Sequence, residues 1–163
     1  MTGNQLTLLA AVFGVTLIGS AIWAVYDPGR PASGGGSSIT ARINPDDATQ
    51  VARGKTVYAE TCAACHGEQL QGEPNWKQAK ADGTLPAPPH DDSGHTWHHG
   101  DDFLYGYTKF GGQAYAPKGF QSAMPGFEGQ LGDEDILAVL AFIKSRWSAD
   151  ARAQQARITA QSQ

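Results

Sequence analysis

The chain has only two cysteines, and they stand three residues apart with a histidine next in line, as Cys62-Ala63-Ala64-Cys65-His66. Two thiols make at most one disulfide, so a disulfide-dense scaffold is excluded. The 163 residues therefore have to fold around an ordinary core, and they allow one domain plus appendages. That core has little to draw on. Apolar residues are 40 % of the chain and unevenly spread, while 20 glycines and 9 prolines signal long loops. The charge is mild, with 12 Lys+Arg against 16 Asp+Glu. No basic excess or basic tail exists to neutralise phosphates, which disfavours a general nucleic-acid binder.

Much of the apolar content lies at one end. The first 26 residues carry no charged side chain, and 16 of the 21 residues from Leu6 to Tyr26 are apolar. As a helix this run spans roughly 31 Å, matching a hydrocarbon core of about 30 Å. Trp23 and Tyr26 fall at its end, where amphipathic rings favour the headgroup interface. Residues 1–26 are expected to be a transmembrane anchor. A cleaved signal peptide is the competing expectation, against which stand the length of the run, the absence of a preceding Lys or Arg and the lack of a good cleavage site. Residues 27–43 are rich in Gly, Ser and Pro and are expected to be a flexible linker. At the other end, residues 148–163 form a polar tail whose one large aliphatic residue is Ile158, a composition that predicts a frayed helix or disorder.

The body, residues 44–147, is acidic, with 8 Lys+Arg against 14 Asp+Glu. Its first element carries helix start signals: Asn44 as cap, Pro45 in the first helical position, then Asp46 and Asp47 to complement the dipole. Ala48, Val51, Gly54 and Tyr58 form one face of that helix. The last element, Asp133 to Trp147, aligns Ile136, Leu140, Ile143 and Trp147 on one stripe, with acids at its start and Lys144 and Arg146 near its end. A shorter helix is predicted from Asp101, as its cap, to Phe110, stopped by Gly111-Gly112. No segment alternates apolar and polar residues for long enough to read as a strand, so the fold is expected to be mainly α with long loops.

Loops of that length around so small a core call for something else to fill it, and Cys62-x-x-Cys65-His66 is the attachment signature of a c-type haem. Thiols three residues apart on a helical turn lie on one side of it, so Cys62 and Cys65 can form thioethers with the two vinyl groups at one edge of the macrocycle. His66 then offers its imidazole as the proximal iron ligand, with the other ring nitrogen held by a carbonyl. Two further readings of the pair exist. A thioredoxin-like dithiol wants a preceding strand, which is missing, and half of a zinc site would have to recruit histidines from far along the chain. Met124 is the only methionine besides the initiator and sits in a Met-Pro loop that Pro125 stiffens. It is the candidate distal ligand, a soft thioether that favours Fe(II) and raises the potential, with core filling as its ordinary alternative.

The body resembles a class I c-type cytochrome, a resemblance carried by Gly54-x-x-x-Tyr58, Cys62 to Gly67, Met124-Pro-Gly-Phe127 and Leu140-Ala-Phe-Ile-Lys144. It implies three or more helices and loops around one covalent haem c, with the first and last helices crossing closely at Gly54, Tyr58 and Phe142. It also implies a proline carbonyl that accepts a hydrogen bond from the proximal histidine, for which Pro86, Pro88 and Pro89 are the candidates. Together with the anchor and linker, the chain is similar to bacterial membrane-tethered cytochromes. That likeness implies a one-electron carrier rather than an enzyme, held at the inner membrane with its haem domain facing the periplasm. Arg30 and Arg42 follow the anchor with no basic residue before it, which by loop charge alone points the opposite way. The acidity of the body suggests redox donors and acceptors with a basic docking patch, among them membrane complexes, and no nucleic acid.

Four of the five histidines, His90, His95, His98 and His99, fall within ten residues and alternate with aspartates. They raise the expectation of a second metal site, and the plainer one of a polar loop around the haem. Trp76 and Trp97 are candidates to line the haem or to reach its propionates, and equally to be core. Two other functions follow from these features: a haem enzyme or gas sensor with a displaceable sixth ligand, or a subunit whose histidine-rich loop binds a second metal.

Overall fold

A computed structural model describes residues 42–162 of the chain. The predicted anchor, and the linker up to residue 41, lie outside the described residues. The described part is helical: α1 (Ala48–Thr61), the short α2 (Ala63–His66), a 3-10 turn (Thr96–His98), α3 (Asp101–Phe110), the short α4 (Gly112–Tyr115), α5 (Asp133–Ser145) and α6 (Ala149–Gln161). Among the described residues the extended pairing is a single bridge between Thr84 and Gln121, as expected from the lack of alternation.

The start of α1 falls three residues later than the sequence signals suggest. Asp47 is the cap, its carboxylate accepting from the N–H groups of Thr49 and Gln50 at 2.9 and 3.1 Å. Asn44 is occupied otherwise, since its amide oxygen takes the N–H of Asp46 at 3.0 Å in a local turn. A carboxylate at the cap satisfies two orphan donors and meets the positive end of the helix dipole, which an amide at position 44 does less well.

The centre of the fold is α5. Every residue from Ile136 to Lys144 is buried, so the helix is enclosed on more than the single stripe that its spacing suggested. It is covered by α1 and α3. The crossing with α1 is close enough to exclude a side chain. A Cβ on Gly54 would lie 1.9 Å from the carbonyl oxygen of Ala138 and 2.9 Å from Cβ of Phe142. One turn on, the Tyr58 and Phe142 rings meet at 5.4 Å. The residues that the family resemblance assigned to the crossing are therefore the ones in contact.

Asp101 does not cap α3, as the sequence suggested; Gly100 holds that position and Asp101 is the first helical residue. Its carboxylate is 2 % exposed and accepts from Nζ of Lys144 at 2.7 and 2.9 Å. Asp101 is drawn inward because the last turn of α5 presents a buried ammonium that needs a counter-charge.

The tail differs most from expectation. Residues 149–161 form a regular helix, α6, instead of a frayed or disordered end. Ser148 caps it, and Ala151, Gln155 and Thr159 form a buried stripe at helical spacing. The adhesion is polar. Gln155 Nε2 donates to Asp101 Oδ1 at 2.6 Å and to Thr159 Oγ1 at 3.0 Å, while Thr159 Oγ1 accepts from the N–H of Asp101 at 3.1 Å. Arg152 adds a paired contact to Asp46 at 2.8 and 2.7 Å. Ile43, at the end of the predicted linker, is buried in the core as well.

Gly54→Ala is expected to destabilise the fold by about 3 kcal/mol or more, because the added methyl meets backbone and cannot be relieved by a rotamer change. Thermal or denaturant unfolding of the haem-loaded chain measures it. Lys144→Met, which strands the Asp101 carboxylate in the interior, is expected to cost about 3–5 kcal/mol. The double variant Lys144→Met/Asp101→Asn should recover much of that loss, since no buried charge then remains.

Candidate functional site

The Cys62–His66 segment is built as a continuation of α1. The N–H of Cys62 donates to the carbonyl of Tyr58 at 2.9 Å, and the N–H of His66 donates to the carbonyl of Cys62 at 2.9 Å. Gly67 ends the turn with a φ of +80°, a backbone conformation that glycine adopts without penalty. Tyr58 Oη donates to the Gly67 carbonyl at 2.8 Å, so the helix that carries the motif also ties down its far end. Within the turn the two cysteines are not joined in a disulfide, Cys62 being half-buried and Cys65 exposed. Burial, reinforced by the neighbouring Cys65, pushes the Cys62 thiol up to about 11.

His66 is buried, and its Nδ1 lies 2.8 Å from the carbonyl oxygen of Pro88. With Nδ1 donating to that carbonyl, Nε2 is the nitrogen with a free lone pair. Burial lowers the imidazole's affinity for a proton, against the smaller opposing effect of the Pro88 bond. Of the three candidate prolines, Pro88 presents its carbonyl to His66. The Pro89 carbonyl is within 3.5 Å of the Thr96 hydroxyl, and Pro86 is buried.

Met124 lies in a loop fastened to the end of α3. Gly112 N–H donates to the Met124 carbonyl at 3.1 Å, and Phe127 N–H donates to the Lys109 carbonyl at 2.9 Å. Gly111 and Gly126 allow this approach, since a Cβ on Gly111 would stand 2.7 Å from the Gly126 nitrogen. Beside the loop, Ser122 Oγ accepts from the N–H of Met124 at 3.3 Å and lies 3.4 Å from Tyr107 Oη. The Met124 side chain is half-buried.

The four clustered histidines take different aromatic neighbours, and His95 and His99 also meet edge to face at 5.5 Å. His90 has its Nδ1 2.8 Å from Thr96 Oγ1, and its ring stacks on His66. His98 stacks on Trp97 at 3.7 Å, His99 on Phe103 at 4.4 Å, and His95 lies parallel to Trp76 at 5.4 Å. Among the described residues no group of three or more His, Cys, Asp or Glu side chains gathers as a metal ion would need. Burial keeps His90, His95 and His99 below the ordinary histidine range, and most strongly His90. Trp97 packs against the core, with its indole N–H 3.4 Å from the Asp92 carbonyl.

Several contacts around the site were not anticipated. Trp147 Nε1 donates to the His90 carbonyl at 2.7 Å, fastening the Pro86–His90 segment to the end of α5. Phe103, Tyr107 and Tyr115 continue the stack begun by His99, with ring centroids 5.3 to 5.9 Å apart. The i, i+4 spacing of Phe103 and Tyr107 was the available signal for them.

Two cysteines on one helical turn, followed by a buried imidazole whose Nδ1 is already engaged, are the donor set that a covalently attached haem requires. Comparison with known proteins agrees. Residues 51–147 match the family Cytochrome c. The cbb3-type cytochrome c oxidase subunit CcoP of Azospirillum sp. (strain B510) is 35 % identical over 97 residues, which cover 60 % of this chain and 29 % of that protein. The matched part is thus less than a third of that relative's length. No solved structure matches the chain significantly. With the matched region spanning the motif and both principal helices, the chain belongs to the cytochrome c family, and its cofactor is a covalently bound haem c.

Proposed function

We propose that this chain is a membrane-tethered, periplasmic one-electron carrier whose haem iron is held between His66 and Met124. The observation that carries the ligand assignment is the 2.8 Å contact from His66 Nδ1 to the Pro88 carbonyl. It commits Nδ1 as a donor, leaves Nε2 for the iron, and makes the ring a stronger electron donor to a metal. When bound, the haem takes one electron from a donor as Fe(III) and gives it to an acceptor from Fe(II).

The chain's own residues prepare that exchange. Cys62 and Cys65 fix the macrocycle covalently at the end of α1, so its position follows the helix crossing. Pro125 and the bond from Met124 N–H to Ser122 Oγ stiffen the Met124 loop, and the bonds from Gly112 N–H to the Met124 carbonyl and from Phe127 N–H to the Lys109 carbonyl hold it to the end of α3. A thioether at the sixth position and a low-polarity surrounding both favour the ferrous state, because the ferric centre carries the charge that burial penalises.

The acidic body favours encounter with a basic patch on the partner and makes the encounter salt-sensitive. Similarity to an oxidase subunit supports a respiratory membrane complex as that partner. Tethering rests on the apolar run of residues 6–26 in the sequence. No helix among the described residues is long and apolar enough to cross a membrane.

An absorption spectrum of the matured full chain tests the ligation. A low-spin c-type haem showing the ferric thioether charge-transfer band is expected, and Met124→Ala should abolish the band and lower the reduction potential. High-spin haem in the unmodified chain, or carbon monoxide binding by its ferrous form at neutral pH, overturns the assignment in favour of an open sixth position.

A further inference from the structure

We propose that His90 is a positioning residue for the proximal ligand: its ring, latched by Thr96, lies flat against His66 and sets the rotation of that imidazole plane. The inference rests on the proposed ligation of a low-spin iron by His66 and Met124. A single hydrogen bond at Nδ1 restrains an imidazole at one point of its edge and leaves the ring able to rock about that point. A flat neighbour on one face removes the remaining freedom. The His66 and His90 rings are stacked, 3.9 Å apart between centroids and 23° from parallel.

His90 is itself prevented from turning. Its N–H donates to the Leu70 carbonyl at 2.8 Å and its carbonyl accepts from Trp147 Nε1 at 2.7 Å, so the backbone is held from both sides. Its Nδ1 meets the hydroxyl of the buried Thr96 at 2.8 Å, which fixes the ring about its own bond. Behind it the chain folds back tightly, since a Cβ on Gly94 would stand 2.0 Å from the Pro89 carbonyl oxygen. The edge of the Tyr58 ring closes a further side at 6.4 Å. Pro88 and His90 are two residues apart, so one short strap supplies both the carbonyl at the edge of His66 and the ring on its face.

In low-spin ferric haem, the orientation of an axial imidazole plane decides which iron d orbital holds the unpaired electron. It therefore sets how spin density is shared among the four haem methyl groups. Rotation of His66 is read directly from the order of the methyl proton resonances and from the largest electron paramagnetic g value, whereas a loss of stability alone does not move them.

The experiment uses the oxidised, haem-loaded full chain. His90→Leu keeps bulk without a planar face and should reorder the methyl resonances and shift the largest g value, with the ligands retained in the absorption spectrum. His90→Phe restores a planar face and should return the order toward that of the unmodified chain. Thr96→Val removes the latch with little change in volume, and should shift the pattern in the same direction as His90→Leu by a smaller amount. It carries the test should the His90 variants fail to mature. An unmoved pattern in His90→Leu or Thr96→Val, or a His90→Phe pattern no closer to the original than that of His90→Leu, overturns the proposal. High-spin haem in the unmodified chain would instead overturn the ligation on which it rests, and that is seen before any variant is made.

Discussion

The backbone contact between Gly54 and Ala138 sets the position of everything that follows it in the site. Because nothing lies between α1 and the carbonyl of Ala138, α1 has one depth and one angle against α5. The turn bearing Cys62, Cys65 and His66 grows out of the end of α1, so its position is inherited from that crossing. Tyr58 joins the two levels, packing its ring on Phe142 and giving its hydroxyl to the Gly67 carbonyl just beyond the motif. A covalent cofactor attached to such a turn is held by the helix pair, and the surrounding loops have only to close over it. This also accounts for a body so poor in apolar side chains: α5 supplies a dense aliphatic rod, and the haem supplies much of the remaining hydrophobic volume.

The last turn of α5 is also held by a different kind of force. Lys144, Asp101, Gln155 and Thr159 form a buried polar cluster that joins α5, α3 and α6. Such a cluster adds little net stability over an apolar core, since desolvation of the charges offsets most of the attraction. It is, however, intolerant of any partner's loss, and it accepts only one arrangement of three helices. The exposed ion pairs elsewhere, such as Arg53 with Asp135, contribute far less. The fold thus combines a tight apolar crossing at Ala138 and Phe142 with a polar lock at Lys144 in the last turn of the same helix.

What was legible in the sequence follows the same division. Features set by local chemistry were readable: α3 runs from Asp101 to Phe110 and stops where Gly111 takes a φ of +86°. Crossing residues were readable through the family resemblance, because a glycine and an aromatic one turn apart leave a mark. The docking of α6 was not, since its buried stripe is Ala151, Gln155 and Thr159, which look like a solvated face until Asp101 and Lys144 are brought beneath them. Asp101 was misassigned for the matching reason: a carboxylate at a helix start is an ordinary cap unless a buried lysine waits in another element. The cap of α1 lies at Asp47 because Asn44 is taken up in the preceding turn, where the Gln50 side chain accepts from its N–H and donates to the Arg42 carbonyl.

The histidine-rich stretch shows why spacing alone misleads for irregular backbone. On a helix, spacing fixes which side chains share a face; in a strap of prolines, glycines and a 3-10 turn, it fixes almost nothing. Here Pro88 and His90 turn inward because Leu70 and Trp147 pin the strap from either side, while His95, His98 and His99 each find an aromatic partner of their own. The Leu70 carbonyl that receives His90 sits three residues beyond Gly67, the residue that ends the motif's turn. The strap over His66 is therefore referenced to the same short stretch of backbone as His66 itself, so a small movement of α1 carries the imidazole, its carbonyl partner and its stacked neighbour together. On the proposed reading of His66 as iron ligand in a one-electron carrier, such coupling is useful, because an iron environment that moves as one body needs little rearrangement when its charge changes.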